Sequence, residues 1–326
     1  MYPLKFEDIL RPIIWGGEEI SRFKQLPEIH PGVGESWEIS QVGDRVSVVS
    51  EGADKGKNLT ELIKRDGAAL LGKHVAERYG EKFPLLIKFI DAHDNLSIQV
   101  HPNDEVAMAR HNSFGKTEMW YVIDAKPGAG LYSGFSQQIT PEEYVERIKN
   151  NTITDVLQFH KVKSGDVFFL PAGRIHAICK GILIAEIQQS SDITYRIYDY
   201  DRRDAQGNPR ELHVEQSIAA VDFKMYDNLR TQYEARNNDA VTLVECPFFE
   251  TNLIEVDKSV KRPVAAHDSF VIYMCMGGKV RLTDNNGYTI TLHQGQTSLV
   301  PASLESVTIE AESPAKLLEC YIPAQK

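Results

Sequence analysis

Four side chains in this sequence have the types and spacing to hold one metal ion: Gln99, His101, Glu118 and His176. Ser97-Ile98-Gln99-Val100-His101 alternates polar and apolar residues. In a strand, successive side chains point to opposite faces, so Ser97, Gln99 and His101 share one face and Ile98 and Val100 the other. Lys116 and Glu118 share a face for the same reason. His176 follows an apolar run and a Pro171-Ala172-Gly173 turn. Imidazole nitrogen, carboxylate oxygen and amide oxygen make a borderline-to-hard ligand set. It suits Zn²⁺, Mn²⁺, Co²⁺ or Fe²⁺ and is poor for Cu⁺.

Such a set needs a rigid, mainly β scaffold, and the pattern supplies one. Short apolar runs at 46–49, 83–90, 96–100, 119–123, 167–170, 182–187 and 193–198 are separated by Gly, Pro, Asn and Asp. Further runs follow at 241–244, 270–276, 289–292 and 298–300. These read as strands. Residues 58–79 have helical spacing of Leu59, Leu62, Ile63, Leu70, Leu71, Val75 and Ala76. A second helix is predicted over 140–149, with Thr140 as N-cap, Pro141 in first position and Glu143 closing a capping box. A weaker helical signal covers 214–220. No phosphate-binding glycine motif argues for a nucleotide-binding α/β fold.

The sequence also repeats itself. Gly165, Pro171 and Ala172 recur with the same spacing as Gly295, Pro301 and Ala302, and on that alignment His176 becomes Ser306. The run from Glu118 to Gly128 and Gly130 has an echo from Ser269 to Gly277 and Gly278. The repeat implies two copies of one β unit. The first, at 1–235, carries a helical insertion and the metal site; the second, at 236–326, has lost a metal-binding His and leaves one site per chain.

Bulk properties narrow the partners. The chain has 326 residues, 42% hydrophobic and 25% charged, which is ordinary globular composition. A net charge of −10 argues against nucleic acid or an anionic membrane, but not against a small anionic substrate met by a few local Lys and Arg. Cys179, Cys246, Cys275 and Cys320 form no CxxC pair and read as free thiols. The N-terminus lacks the basic-then-apolar shape of a signal peptide, and no run approaches a membrane span. The expectation is a cytoplasmic protein.

Gly165-(five residues)-Pro171-x-Gly173-(two residues)-His176 is the second motif of the cupin superfamily, and the upstream x-His strand followed by Glu118 resembles the first. Cupins are double-stranded β-helix barrels with a metal inside. Gln99 stands where an HxH pair has its first His, and Lys180 where an Asn is expected. Those departures, with Leu96-Ser-Ile-Gln-Val-His-Pro-Asn103, Gly115-Lys-Thr-Glu-Met-Trp-Tyr121, Pro84-Leu-Leu-Ile-Lys88, Gly34-Glu-Ser-Trp-Glu38 and Thr194-Tyr-Arg-Ile-Tyr-Asp-Tyr-Asp-Arg202, resemble type I mannose-6-phosphate isomerases of the short bacterial form, over nearly the whole chain.

The resemblance implies two cupin barrels, one Zn²⁺ held by Gln99, His101, Glu118 and His176, and interconversion of mannose 6-phosphate and fructose 6-phosphate. It further implies roles for Lys88, Ser97, Lys116, Glu186 and Arg196. Lys88 and Glu186 interrupt apolar runs, and buried charges need partners. The expected pairing is Glu186 with Arg196, as a catalytic proton relay with Lys116 nearby. Lys88, Ser97 and Lys116 are expected to receive the phosphate. A Tyr found two residues after the motif His in longer relatives is Ile178 here, so no role of that Tyr carries over. The charged stretch of Asp199, Asp201, Arg202, Arg203 and Asp204 reads as a solvated loop. Two other functions compete: a non-catalytic sugar-binding bicupin, and an Fe²⁺ dioxygenase, which Gln99 and the two lysines fit poorly.

Overall fold

The alternating runs around the candidate ligands do form strands. The computed structural model describes residues 1–203 and 206–324. A first sheet has the order Val167–Leu170, Glu118–Ala125, Ile182–Gln189, Leu85–Ala92, Val33–Ile39 and Ile9–Gly17, with every neighbouring pair antiparallel. A second sheet has the order Leu157–Lys161, Gly130–Phe135, His176–Ile178, Ile98–Val100 and Tyr195–Tyr198.

The first sheet is a middle layer. Strands Leu85–Ala92 and Ile182–Gln189 are buried at every position, which is why they read as continuous apolar runs. One face, with Trp120, Val122, Ile90 and Ile184, packs on Leu131 and Ile178 of the second sheet. The other, with Ile87, Phe89, Met119 and Ile187, packs on Ile272, Met274, Leu318 and Cys320 of a third sheet.

That third sheet has the order Leu4–Lys5, Thr297–Val300, Val271–Gly277, Ala315–Tyr321, Phe249–Val256 and Ala240–Cys246. It faces a fourth sheet of Ser259–Pro263, Ser306–Ala311, Lys279–Asp284 and Thr289–His293 across a core of Tyr273, Val280, Leu282, Val307 and Leu317. Strand order in the third and fourth sheets reproduces that of the first and second, so the sequence repeat is a repeat of structure. The fold is mainly β. Among the described residues each unit is a pair of facing sheets, and neither pair is closed into a barrel by a continuous ladder. The N-terminal strand Leu4–Lys5 pairs with Thr297–Val300 and ties the chain's start to its end.

The helical expectation over 58–79 holds, in separate pieces. Three helices stand there, Leu59–Asp66, Ala68–Leu71 and Lys73–Tyr79. They break at Gly67 and Gly72, whose φ values of +49° and +95° no continuing helix adopts. The first carries a full capping box from Asn58 and Glu61. The helix Pro141–Lys149 starts as expected, with Thr140 Oγ1 accepting from Glu143 N (3.2 Å). The Glu143 carboxylate instead holds Arg147 (2.8 Å), so that capping box is half made. The weak helix is Val214–Ile218, shorter than expected. A helix that the strand reading overlooked, Asp104–His111, lies between two candidate ligands and is capped by Asn103.

All four cysteines are free. No helix among the described residues is long and apolar enough to cross a membrane.

Gly72 marks a contact between the two units. Asp268 Oδ1 accepts from Lys73 N (2.9 Å) and so caps the third helix from the other unit. A Cβ on Gly72 would lie 1.8 Å from the Asp268 carbonyl oxygen, whereas one on Gly67 meets nothing within 4 Å. Gly72→Ala is therefore expected to lower the unfolding free energy by more than about 1 kcal/mol, and by more than Gly67→Ala, in denaturant titrations.

Candidate metal centre

The two sheets of the N-terminal unit each supply part of the ligand set. In the second sheet His176 pairs with Gln99 on one side and Ser133 on the other. Directly paired residues share a face, so these three side chains project together toward the first sheet. His101 follows the same strand one step after Val100. Glu118 opens the facing strand, between Leu170 and Gln188. Its Oε1 lies 3.2 Å from His176 Nε2 and its Oε2 lies 3.5 Å from His101 Nε2. One ligand atom from each of the three lies within 4.8 Å of the others. None of the three residues is more than 2% exposed.

The backbone sets the histidine tautomers. His101 Nδ1 lies 2.9 Å from the Ile193 carbonyl and His176 Nδ1 lies 2.8 Å from the Arg174 carbonyl. A carbonyl only accepts, so each Nδ1 carries the proton and each Nε2 presents a bare lone pair. Burial pushes both imidazoles well below the ordinary histidine range, so they stay neutral. Burial also pushes the Glu118 carboxyl up. Both Nε2 atoms and both Glu118 oxygens are shielded from water and have no hydrogen-bond partner. Lone pairs converging with no donor between them are costly unless a cation sits among them, and backbone carbonyls behind the imidazoles are the supports that metal-binding histidines use. The residues present fit a divalent metal.

Lys116 Nζ makes an ion-pair contact of 3.3 Å with Glu118 Oε2. Beside the ligands, Lys88, Glu186 and Trp120 are paired across three neighbouring strands. Lys88 Nζ lies 3.1 Å from Glu186 Oε2, and Trp120 Nε1 donates to Glu186 Oε1 at 2.8 Å. Desolvation would raise Glu186, but the Lys88 and Lys116 ammoniums and the indole N–H outweigh it and hold the carboxyl low.

This corrects the expected Glu186–Arg196 pair. Glu186 lies in the first sheet directly opposite Lys88, whereas Arg196 lies in the second sheet opposite Gln99. Arg196 Nη1 donates to the Glu211 carbonyl (2.9 Å), and its Nε is buried without a partner. The buried Glu38 carboxylate is not available to Arg196 either, being held by Lys24 at 2.7 Å. Ser97 is buried just ahead of the Ile98–Val100 strand. The charged stretch is also not simply solvated: Asp199 is 5% exposed and binds Arg202 and Arg210. Asp204 lies outside the described residues.

Sequence reasoning missed two inner-face residues, Ser133 and Gln188. Only cross-strand register brings them beside His176 and Glu118. It also missed what fixes the loop before Lys116. Asp104 Oδ1 accepts from Gly115 N (2.8 Å) and from Gln189 Nε2 (2.9 Å). The signal was present as Asn103-Asp104-Glu105, an N-cap followed by two acids.

The second copy has rebuilt the corresponding interior. Val271 occupies the register position of Glu118, pairing with Val300 as Glu118 pairs with Leu170. The motif alignment puts Ser306 opposite His176, but the chain takes one more residue after Val300. Val307, not Ser306, is the residue that packs inward. Its partner Arg262 then stands in the place of Gln99. Arg262 Nε and Nη2 donate to Glu319 at 2.9 and 2.8 Å, joined by Tyr273 Oη at 2.9 Å and Asn252 Nδ2 at 3.2 Å. Asn252, Glu319 and Tyr273 repeat the register of Lys88, Glu186 and Trp120. A guanidinium neutralises the carboxylate there, and the ligand set is gone.

Known proteins resemble this chain in sequence and in fold. The model of the type I phosphomannose isomerase catalytic domain matches residues 4–127, and that of the mannose-6-phosphate isomerase cupin domain matches residues 239–317. The mannose-6-phosphate isomerase ManA of Bacillus subtilis (strain 168) is 35% identical over 313 residues, covering 94% of this chain and 96% of its own. The chain belongs to the type I phosphomannose isomerase family. A mannose-6-phosphate isomerase of Streptococcus mutans is 35% identical over 305 residues, covering 93% of this chain and 94% of its own. The crystal structure of the mannose 6-phosphate isomerase from Bacillus subtilis matches with a TM-score of 0.89 at 31% identity, over 99% of this chain and 100% of that one. A phosphomannose isomerase variant from Salmonella typhimurium, 16% identical with a TM-score of 0.80, shares the fold. His176 lies outside both matched spans, and cross-strand pairing is what joins it to Gln99.

Two outcomes follow for variants. Glu118→Gln and His176→Ala are each expected to lose most tightly bound metal, read by elemental analysis after gel filtration. Lys88→Met should destabilise the fold by about 3–5 kcal/mol, because it strands the Glu186 charge. Lys88→Met combined with Glu186→Leu should recover much of that in denaturant titrations.

Proposed function

We propose that the protein is a metal-dependent aldose–ketose isomerase that interconverts mannose 6-phosphate and fructose 6-phosphate. The observation that carries the reading is the convergence of two bare imidazole nitrogens and a buried carboxylate without a hydrogen-bond partner, in a family named for that activity. We assign the cation as Zn²⁺, one per chain, held by His101, His176 and Glu118 with Gln99 as fourth ligand; the nitrogen and oxygen donors suit it. We take 1–235 as a catalytic cupin unit and 236–326 as a degenerate one, each pair of facing sheets being a flattened double-stranded β-helix barrel. The four free thiols fit a cytoplasmic enzyme.

The reaction moves a proton between carbons 2 and 1 of an open-chain sugar: a base takes the proton from one carbon, leaving an enediolate whose oxygens share the negative charge, and the proton returns to the other carbon. A divalent ion held by Gln99, His101, Glu118 and His176 would supply Lewis-acid polarisation. We assign Lys116, in contact with ligand Glu118, to the proton transfer between the two carbons. Arg196, beside Gln99 in the second sheet, offers a guanidinium to developing negative charge. Glu186 is held ionised by Lys88 and Trp120, so its part is to fix the Lys88 ammonium and the indole. Lys88, Ser97 and Lys116 form the polar lining for the phosphosugar.

Purified protein given mannose 6-phosphate, with a coupled readout of fructose 6-phosphate, should turn over, lose activity to chelator and regain it with Zn²⁺. Lys116→Met should lower kcat by about 10²–10⁴-fold with metal content unchanged. Bound metal without turnover would instead make this a sugar-binding protein. Oxygen consumption would make it a dioxygenase.

A further inference from the structure

Gln188 carries a polar atom that the fold leaves unanswered. It lies on the same strand as Glu186 and pairs with Glu118 on one side and Leu86 on the other. Direct cross-strand neighbours have Cβ atoms about 4.5–5.5 Å apart on the same face, so Gln188 stands beside a proposed metal ligand on the inner face. The residue has no exposure to solvent.

Its amide orientation is determined. Nε2 donates to the carbonyl oxygens of Gln189 (2.8 Å) and Ser191 (2.6 Å). An atom flanked by two carbonyls must be the nitrogen, which makes the other atom the oxygen. That oxygen, Oε1, is shielded from water and has no hydrogen-bond partner. The nearby donors are engaged elsewhere. The Lys116 ammonium lies against Glu118, and the Trp120 N–H donates to Glu186. A buried acceptor without a donor costs more than an ordinary hydrogen bond returns, and an apolar side chain would fill this place without that cost. In the second copy the corresponding residue is Tyr321, two positions after Glu319, and its hydroxyl donates internally to Glu250. The acceptor left open is in the copy that keeps the ligand set.

We infer that Gln188 Oε1 accepts a hydrogen bond from a hydroxyl of the open-chain sugar next to the reacting carbons, making Gln188 a specificity-determining residue. This rests on the isomerase reading. The amide's two N–H bonds hold the 189–191 stretch and aim the oxygen, so the acceptor is preorganised. A cation could also take this lone pair, but the proposed Zn²⁺ already has four ligands in Gln99, His101, Glu118 and His176, so the partner left for Oε1 is a donor such as a carbohydrate hydroxyl.

The test is a cycle over protein and ligand. Metal-loaded wild type, Gln188→Met and Gln188→Lys are titrated calorimetrically with D-mannitol 6-phosphate and with its 3-deoxy and 4-deoxy analogues, and metal content is measured for each protein. Gln188→Lys keeps a donor toward the two carbonyls, so it separates loss of the acceptor from loss of the loop. Wild type is expected to bind one deoxy analogue about 3–10-fold more weakly than the parent polyol. Both variants should bind parent and analogue alike, with metal content unchanged. An unchanged preference for the parent in either variant, or loss of metal in Gln188→Lys, would overturn the inference while leaving the isomerase reading intact. Failure of wild type to bind any of the polyol phosphates would overturn both.

Discussion

A carboxylate with no access to water faces two imidazole nitrogens across the space between two β-sheets, and the rest of the site is arranged around it. Glu118 belongs to the first sheet; His176 belongs to the second, and His101 directly follows that sheet's Ile98–Val100 strand. Burial works against its charge, and the available ammonium, on Lys116, makes only an ion-pair contact. Neighbouring groups limit what else could complete the set. Backbone carbonyls take the Nδ1 proton of each histidine, so no imidazole proton is left to point at the carboxylate. The constellation is electrostatically incomplete as a piece of protein and complete as a cation site.

The same constraint explains the inner face of the middle sheet. Strands buried on both sides exclude unpaired charge, yet this face carries Lys88, Glu118 and Glu186. Lys88 and Glu186 satisfy each other within the sheet, with Trp120 finishing the carboxylate, and Glu118 is left facing the two imidazoles. The second unit solves the problem differently. Glu319 keeps the position of Glu186, and an arginine reaching in from the fourth sheet neutralises it. One architecture therefore holds two charge solutions, and only one of them leaves donor atoms open.

Much of this was legible in the sequence, for identifiable reasons. Period-two alternation put Gln99 and His101 on one face, and the spacing from Gly165 to His176 survives because a tight turn sets it. What failed to read depends on which strand lies beside which. Glu186 and Arg196 are close in sequence and opposite in charge, but they sit in different sheets, and register gave Glu186 to Lys88. The Ser306 alignment was off by one residue because the motif fixes the turn and not the length of chain after it. With a side-chain period of two, one residue exchanges inside for outside. The helical stretch over 58–79 is divided at two glycines visible in the sequence. Contact with Asp268 across the unit boundary made Gly72 a corner.

The central claim is that Glu118, His101, His176 and Gln99 jointly bind one divalent cation between the two sheets. X-ray absorption at the metal edge on the zinc-loaded protein, paired with an anomalous difference map from its crystals, reads this directly. The account predicts a single anomalous peak per chain among those four side chains, with nitrogen and oxygen neighbours at about 2.0–2.2 Å and no sulfur. A peak elsewhere, a sulfur neighbour at about 2.3 Å, or a loaded protein in which the His101 and His176 rings turn their Nε2 atoms away from the metal would contradict it.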